Sequence, residues 1–554
     1  MKKLLFALVT IILVSSLFIT SCGEPEKTTT PTTTAATTTS TTTTTATTTT
    51  AEPTGPTPPD EGAVYGGTLT IIENILANNV GYPPEFGSQE GATSSIWAEP
   101  LALSADNFVD LIPFLATSWD EDFDAMTFTV YLRQGVKFHD GTDFNAEAAR
   151  WNFQRAIDNK NISLWPVIDS MEIIDNYTLK FNLSDYPYNT KNVILDQTFY
   201  SPTAFENSGA TEEERIEWAR DHAVATGPFQ VVDFQRDVAI ECEKFEDYWQ
   251  EGYPYLDKVI FKLITDPLVA QAMMEAGEAD SWEAMADPTV TVEMAKRGFK
   301  AYYSGRPVNA LQWFLYPEVK PESIFNDLKV RQAVAHAIDN EGIALAIGKG
   351  IYDPLNQLVY EGLYGYNPDY EGYPYNPERA MELLAEAGYP DGFSTQLVYE
   401  VPFEDPATII RDNLLAVGID AELVPMTMGA WFGSLFGAGW DGLNLAFSGC
   451  GNDQYCIASF SEWLGPNRSI PFILNEWSPE VLALLDEGLH TYDEEARKDV
   501  AIRLMTAAAE ELNVIPVFQR PIAILNQPWV HSEHPEEGGY GGGRHIYRVW
   551  MDPH

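Results

Sequence analysis

A stretch of low complexity limits the fold of this chain more than any other feature. Residues Thr28–Ala51 contain only Thr, Ala, Pro and Ser, and a segment without large apolar side chains cannot bury enough surface to offset the entropy of folding. Pro, Gly and acidic residues remain frequent up to Gly62. We therefore predict that residues 22–62 form a disordered tether, spanning roughly 35 Å as a flexible coil, and that the folded part begins at residue 63.

The residues before the tether are typical of an export signal. Two lysines precede an almost wholly apolar run, Leu4–Ile19, which is the pattern of a signal peptide. The run is short for a membrane-spanning helix, which needs about 20 apolar residues. We predict that residues 1–21 are removed during export. Ile19-Thr-Ser-Cys22 resembles a bacterial lipobox, which implies a lipid on the Cys22 thiol and an anchor on the periplasmic or cell-surface side of the membrane; ordinary cleavage would leave a plain thiol.

Composition sets the class of the folded part. The chain has 81 acidic and 33 basic residues, for a formal net charge of −48, and this charge excludes nucleic acid as a partner. A content of 45% hydrophobic and 12% aromatic residues is enough for a large core, divided between more than one lobe. An acidic surface could favour cationic ligands; the alternative is a solvated surface that keeps an exported protein soluble, and charge alone does not select the ligand.

Strand and helix signals alternate after the tether. Gly67–Ile72 is predicted to be a first strand. Further on, Asn376 can cap a helix that has Pro377 at its first position and ends at Gly388. Alternating strands and helices predict an α/β fold. Because no second linker resembles the Thr-rich one, the lobes are expected to be joined by short crossings.

Three cysteines follow Cys22. Cys450 and Cys456 flank a short polar loop in a compartment that permits disulfides, so we predict a bond between them; two separate thiols are the alternative. Cys242 follows a strand-like segment and is predicted to be a buried apolar residue. The three cysteines do not suggest a zinc site.

Several sequence blocks, in a consistent order, resemble a known family. They are Leu115-Ala-Thr-Ser-Trp119, Phe128–Phe144, Thr226-Gly-Pro-Phe229, Asp247-Tyr-Trp249, Pro254–Lys258, Glu275–Asp280, Asp327–Asp339 and Ala385–Phe393. Together they resemble the family 5 extracellular solute-binding proteins, which bind dipeptides, oligopeptides or nickel. The chain departs from the family's pattern at Asp143, Ala225 and Phe245, where Pro, Gly and Asn are usual; these positions lie in turns and leave the fold prediction unchanged.

The resemblance implies a two-lobed fold of the periplasmic-binding-protein type II class. The implied units are a first lobe over 63–305 with a small domain inserted at about 101–224, a second lobe over 306–514, and a segment over 515–554 that returns to the first lobe. The family's activity implies capture of a peptide or peptide-like solute by lobe closure and delivery to an ABC permease and ATPase. We expect a monomer without a cofactor and without catalytic activity.

Five residues are candidates for ligand binding. In peptide-binding members a carboxylate of the second lobe pairs with the ligand's ammonium group, and Asp453 matches that position; a loop Asp that caps a turn is the alternative. Trp440 and Trp313 could line the cleft or fill a core. Tyr82 lies in a segment from which family members often reach the cleft; a plain loop is the alternative. Arg306 could bind a ligand carboxylate or form a salt bridge.

Motifs of common enzymes are missing. The chain has no GxSxG, HExxH or GxxxxGK[ST] sequence, and His531 and His534, although close in sequence, are predicted to lie in an exposed loop rather than on a metal. The alternatives that remain are an oligosaccharide- or nickel-binding member of the same family, or a tethered receptor that senses a solute without transporting it.

Overall fold

The structure is a computed structural model and describes residues 62–86, 91, 93–104, 110–160, 167–284, 288–304, 308–313, 322–434, 440, 442–448, 454–465, 477–532 and 546–554. The predicted signal peptide, the tether up to residue 61, Arg306, Cys450 and Asp453 lie outside the described residues. Within the described ranges, no helix is both long and apolar enough to span a bilayer.

The strands are numbered in chain order. They are β1 (Thr68–Glu73), β2 (Ala102–Ser104), β3 (Leu111–Pro113), β4 (Ala116–Asp122), β5 (Thr127–Leu132), β6 (Ile168–Asp175), β7 (Thr178–Leu183), β8 (Phe229–Gln235), β9 (Ala239–Lys244), β10 (Lys258–Leu263), β11 (Ser281–Ala284), β12 (Lys300–Ser304), β13 (Val308–Trp313), β14 (Asp353–Pro354), β15 (Phe393–Glu400), β16 (Ile419–Met426), β17 (Leu443–Ser448), β18 (Val514–Gln519), β19 (Ile522–Asn526), β20 (Val530–His531) and β21 (Trp550–Met551).

The α-helices follow the same convention. They are α1 (Ala146–Asp158), α2 (Thr190–Leu195), α3 (Pro202–Asn207), α4 (Glu212–Asp221), α5 (Pro267–Ala276), α6 (Pro288–Lys296), α7 (Leu328–Ala337), α8 (Asn340–Gly348), α9 (Pro377–Glu386), α10 (Glu404–Ala416), α11 (Met428–Gly433), α12 (Ile457–Trp463), α13 (Pro479–Leu489) and α14 (Glu494–Glu511). The predicted helix α9 is confirmed: the Asn376 side chain accepts a hydrogen bond from the Arg379 N–H at 3.0 Å, and Gly388 follows with φ +93°.

Two large sheets organise the molecule. The first has the strand order β12-β19-β11-β1-β10-β9-β8 and the second β14-β18-β13-β17-β15-β16. The chain passes from the first to the second between β12 and β13, and back between β18 and β19. A separate four-stranded sheet, β4-β5-β7-β6, has its own core, which includes Phe128, Phe153 and Phe181. The predicted α/β class is confirmed.

Strand direction shows how the two sheets are placed. In the first sheet β1, β10 and β11 run parallel, and β12 runs the same way because β11 and β12 are both antiparallel to β19. In the second sheet β15, β16 and β17 run parallel, and β18 joins them because β17 and β18 are both antiparallel to β13. Since the chain leaves β12 and β18 at their carboxyl ends to cross, the carboxyl edges of both sheets meet at the crossings.

The three departures from the family's pattern have structural explanations. Asp143 lies opposite Lys137 in an isolated β-bridge, and the two side chains form an ion pair. Ala225 donates its backbone N–H to His139 Nδ1 at 3.3 Å, and its carbonyl accepts from the His139 N–H at 2.8 Å. Phe245 is buried in an aromatic cluster, edge to face with the His139 ring. These contacts leave the fold intact, as predicted.

Candidate functional site

The facing carboxyl edges of the two large sheets form the candidate site. In open α/β sheets, ligands bind beyond the carboxyl ends of the strands, where loops and helix ends leave a crevice. Each lobe has such a set of carboxyl ends, and the chain crosses between the lobes beside both sets. A solute held at this position would contact both lobes.

Two glutamates lie side by side near the carboxyl ends of two neighbouring strands of the first sheet. Ile71 pairs with Ser281 and Ile72 with Trp282, so one step further along these parallel strands Glu73 lies level with Glu283. Their backbones are therefore about 4.8 Å apart, the spacing of neighbouring strands, and their side chains share a face. Burial raises the pKa of Glu73 well above its usual range, and the charge of Glu283 raises it further.

Three of the four carboxyl oxygens of this pair lack a hydrogen-bond donor among the described residues. Glu283 is 0% exposed and Glu73 1%. Among the described residues, neither oxygen of Glu283 has a hydrogen-bond partner, and neither does Oε1 of Glu73. Burial also raises the pKa of Glu283 well above its usual range, against the opposing charge of Arg520. Since buried polar atoms are nearly always paired in folded proteins, this pair requires a functional explanation.

Arg520 connects the pair to the second lobe. It lies in the crossing between β18 and β19, and its guanidinium carbon is 4.9 Å from the centre of the Phe403 ring. Glu400, the last residue of β15, is 9% exposed. Burial raises the pKa of Glu400, and the charge of Arg520 acts against this rise, as it does at Glu283. The charge of Arg520 thus acts on one acid of each lobe.

Among the described residues, the charges of this cluster do not balance. Glu73, Glu283 and Glu400 would carry three negative charges when ionised, and Arg520 carries one positive charge. Ionised carboxylates are strongly disfavoured away from water unless they are paired. Bound protons or an additional positive charge must therefore neutralise the remaining carboxylates. We call Glu73, Glu283, Glu400 and Arg520 the acidic cluster.

Two of the predicted ligand contacts lie beyond the described residues. Arg306 falls in the first crossing. Asp453 follows β17, whose last residue, Ser448, pairs with Val308 at the edge beside the crossings. The strand that leads to Asp453 therefore ends at the candidate site, and the role of both side chains stays a prediction.

The two predicted tryptophans are placed at the other end of the second sheet. Trp313 is the last residue of β13 and pairs with Leu443, the first residue of β17. Trp440 precedes Leu443 and is buried in a cluster with Trp431 and Trp477. Both positions lie about a strand's length from the crossings, so the structure does not bring them to the acidic cluster. Their contact with a ligand stays a prediction.

Tyr82 lies in the first half of the molecule. Its ring stacks on Phe205 at 6.3 Å, and Arg155 lies over both rings while forming an ion pair with Glu212 at 2.6 Å. The adjoining cavity, lined also by Trp151 and Trp218, measures about 30 Å³, which is enough for one or two water molecules. Tyr82 and Trp440 belong to separate hydrophobic clusters. Ligand contact by Tyr82 stays a prediction.

The cysteines agree with the predictions as far as they are described. Cys242 is buried in the core of the first lobe, as predicted, and burial raises the pKa of its thiol. Cys456 is buried before α12, with φ +65°. Because Cys450 lies outside the described residues, the disulfide stays a prediction.

Sequence reasoning did not identify the acidic cluster, although a signal was present. Glu73 ends the apolar run of the predicted first strand, and Glu283 follows the family block Glu275–Asp280 by three residues. A charged residue at the carboxyl end of a predicted parallel strand is a candidate for ligand binding. The large number of acidic residues in the chain hid these two positions.

The fold and the paired edges define a two-lobed α/β binding protein, in which a solute is held between lobes joined by short crossings. The particular family is shown by comparison: residues 110–454 match the bacterial extracellular solute-binding proteins, family 5, middle region. The chain belongs to this family. Its members are extracellular solute-binding proteins and not enzymes, and both predictions are confirmed.

Curated relatives include glutathione-binding proteins. The protein GsiB of Salmonella paratyphi A is 30% identical over 428 residues, which cover 75% of this chain and 79% of the relative. GsiB of Salmonella typhi is 32% identical over 325 residues, covering 57% of this chain and 61% of the relative, which is less than two thirds of the relative's length.

Solved structures show the same fold. The DppA protein of Helicobacter pylori, in complex with the peptide STSA, has a TM-score of 0.76 at 21% identity and covers 88% of this chain and 99% of its own. The oligopeptide-binding protein AppA of Bacillus subtilis, in complex with a nonapeptide, has a TM-score of 0.75 at 19% identity, covering 89% and 100%. NikA of Brucella suis, in complex with Fe(III)-EDTA, has a TM-score of 0.73 at 19% identity, covering 88% and 100%.

Proposed function

We propose that this protein captures a peptide or peptide-like solute outside the cytoplasm by closing its two lobes, and that it delivers the solute to an ABC permease with its ATPase. The observation that carries the proposal is the meeting of the two carboxyl edges at the crossings, with buried acids from both lobes at that point. Acidic groups suit the ammonium group of a peptide. The glutathione-binding relatives and the peptide complexes of the same fold support this choice.

Asp453 is the proposed partner of the ligand's terminal ammonium group. Strand β17 leads to it from the candidate site, and a charge-assisted hydrogen bond from ammonium to carboxylate is among the stronger polar contacts in proteins. A disulfide between Cys450 and Cys456 would hold this loop in place and reduce the entropy lost when the ligand binds.

A thermal-shift screen tests the proposal. A solute that binds only the folded state raises the melting temperature, so short peptides should raise it and N-acetylated peptides of identical sequence should not. Asp453→Asn should abolish the shift while leaving the melting temperature of the empty protein unchanged. A shift with xylo- or gluco-oligosaccharides alone, or with nickel alone, would refute the peptide proposal and support another ligand of the family.

The anchor is a second proposal. We infer that Cys22 carries a lipid that holds the protein at the membrane, with residues 23–62 as the spacer. Cys22→Ala should release the protein into the soluble extracytoplasmic fraction without changing ligand binding. Uptake of labelled peptide that requires the permease would distinguish an importer component from a tethered sensor.

A further inference from the structure

The acidic cluster differs from an ordinary buried ion pair because its carboxylates outnumber its cations. Glu283 has no hydrogen-bond donor at either oxygen within the described part of the chain. The charge of Glu283 acts on Glu73, and the charge of Arg520 acts on Glu283 and Glu400. A group that supplies donors and positive charge would therefore satisfy atoms that the described residues leave unsatisfied.

The position of the cluster makes a ligand the source of that charge. Glu73 ends a strand of the first lobe, Glu283 is the last residue but one of another, Glu400 ends a strand of the second lobe, and Arg520 lies in the crossing between the lobes. A group bound here would contact both lobes. This placement is what a binding protein that closes on its ligand requires.

The chemistry favours an organic cation. Across the residues that the structure describes, no three His, Cys, Asp or Glu side chains are arranged to hold a metal ion. Carboxylates on neighbouring strands can instead accept several hydrogen bonds from one ammonium or guanidinium group, which carries three or five N–H donors.

We propose that the acidic cluster is a subsite for a second positively charged group of the ligand, such as a lysine or arginine side chain, separate from the terminal ammonium group that Asp453 would bind. This inference rests on the proposed function, since it assigns a substrate class to the same cleft: peptide-like solutes with a basic side chain. It predicts that charge, and not only length, decides which peptides are captured.

Protonation supplies an independent signature. Burial raises the pKa of Glu73, Glu283 and Glu400, so the empty cluster retains protons. A bound cation lowers these pKa values and expels protons. Binding of a basic peptide should therefore release protons, and binding of a neutral peptide should not.

The test is isothermal titration calorimetry of the full exported protein with matched peptide pairs of two to four residues, which carry lysine or norleucine at one position. The wild type should bind the lysine peptide at least about tenfold more tightly, which corresponds to about 1.4 kcal/mol, and should release protons when measured in two buffers of different ionisation enthalpy. Glu73→Gln and Glu283→Gln should each reduce this preference and the proton release. Glu278→Gln, an exposed residue on the loop before β11, is the matched control and should change neither.

The outcomes separate the two proposals. If the wild type binds both peptides of a pair equally, or if the preference survives in both glutamine variants, the subsite is wrong. If the subsite is wrong but norleucine peptides still bind, and Asp453→Asn abolishes that binding, the proposed function stands without the subsite. If the wild type binds no peptide of any pair, both proposals fail. The melting temperature of each variant shows that it is folded, and glutamine, which needs no counter-charge, should not lower it.

Discussion

Two buried glutamates of the first lobe have the same burial but opposite surroundings. Glu99 is 2% exposed and Glu283 is 0% exposed. Glu99 accepts a hydrogen bond from the Tyr248 hydroxyl at 2.6 Å and from the Trp249 indole N–H at 3.1 Å. Glu283 accepts none from the described residues. Burial alone therefore does not distinguish a structural acid from a binding acid, whereas the presence of donors does.

The pKa values follow the same comparison. Burial raises the pKa of Glu99 to about 8, and the hydrogen bonds from Tyr248 and Trp249 limit the rise. At Glu283 burial also raises the pKa, and only the charge of Arg520 opposes it. Tyr248 and Trp249 donate to Glu99, whereas no described residue donates to Glu283. We therefore expect the same substitution to have opposite effects at the two positions.

The largest expected effect is the loss of stability in Glu99→Met. Methionine has a similar length and no acceptor of comparable strength, so the Tyr248 hydroxyl and the Trp249 N–H would be buried without their partner. The free energy of unfolding should fall by about 3 kcal/mol in urea denaturation. Glu99→Gln, which keeps an acceptor oxygen, is the control and should lose less. A methionine variant as stable as the wild type would show that these hydrogen bonds contribute nothing.

The same change at the candidate site should act in the opposite direction. Glu283→Met removes a buried acid without donors and replaces it with an apolar side chain. We expect the free energy of unfolding of the empty protein to rise by about 2 kcal/mol at pH 7. The exposed Glu278→Met is the control and should stay within about 0.5 kcal/mol of the wild type. Destabilisation of Glu283→Met would mean that Glu283 has partners in the empty protein, and the comparison with Glu99 would fail.

The pH dependence of stability sharpens the comparison for Glu99. Its pKa is raised to about 8 in the folded protein, above the usual unfolded value of about 4.3. The protonated acid therefore favours folding below the unfolded pKa, and this contribution is lost as the pH rises through 8. Relative to Glu99→Gln, the wild type should lose about 1.4 kcal/mol between pH 7 and pH 9. Parallel stability curves for the two proteins would show that Glu99 does not titrate in this range.

The sequence predicted the scaffold well because scaffold signals are local. The cap at Asn376 depends on neighbours in the chain, and it is present as predicted. The family blocks predict family membership, and the family match over residues 110–454 confirms it. Even the departure at Asp143 fits, since its partner Lys137 is only six residues away.

The candidate site was less predictable because it depends on contacts that are distant in sequence. Glu73 and Glu283 become neighbours only through the register of β1 and β11, and Glu400 approaches them only through the crossing at Arg520. Trp313 shows the reverse: it looks like a cleft residue in sequence, but strand direction places its backbone at the far end of the second sheet. Register and direction of non-neighbouring strands are the information that a single sequence lacks.

A smaller effect is expected at a third acidic contact, where a titratable partner is present. Asp185, just after β7, lies 3.0 Å from His490 Nε2, and His490 Nδ1 donates to the Asp486 carbonyl oxygen at 2.8 Å. Burial lowers the pKa of His490, but the hydrogen bonds and charges of Asp486 and Asp185 outweigh it, so the pKa is raised overall. The four-stranded domain and the second lobe are therefore linked by a pH-sensitive ion pair.

The sign of that effect follows from the raised pKa. The charged imidazole favours folding fully below its unfolded pKa of about 6.5, and the contribution disappears as the pH rises through the higher folded value. Because the pair is partly exposed, Asp185→Asn and His490→Gln should each cost only about 0.5 kcal/mol at pH 5.5 and nothing at pH 9, as measured by urea denaturation. Equal losses at both pH values would show that the contact acts through packing. A loss confined to low pH would show that the contact depends on the protonated His490 imidazole as its donor. That result would agree with the comparison of Glu99 with Glu283, in which the presence of donors is the difference.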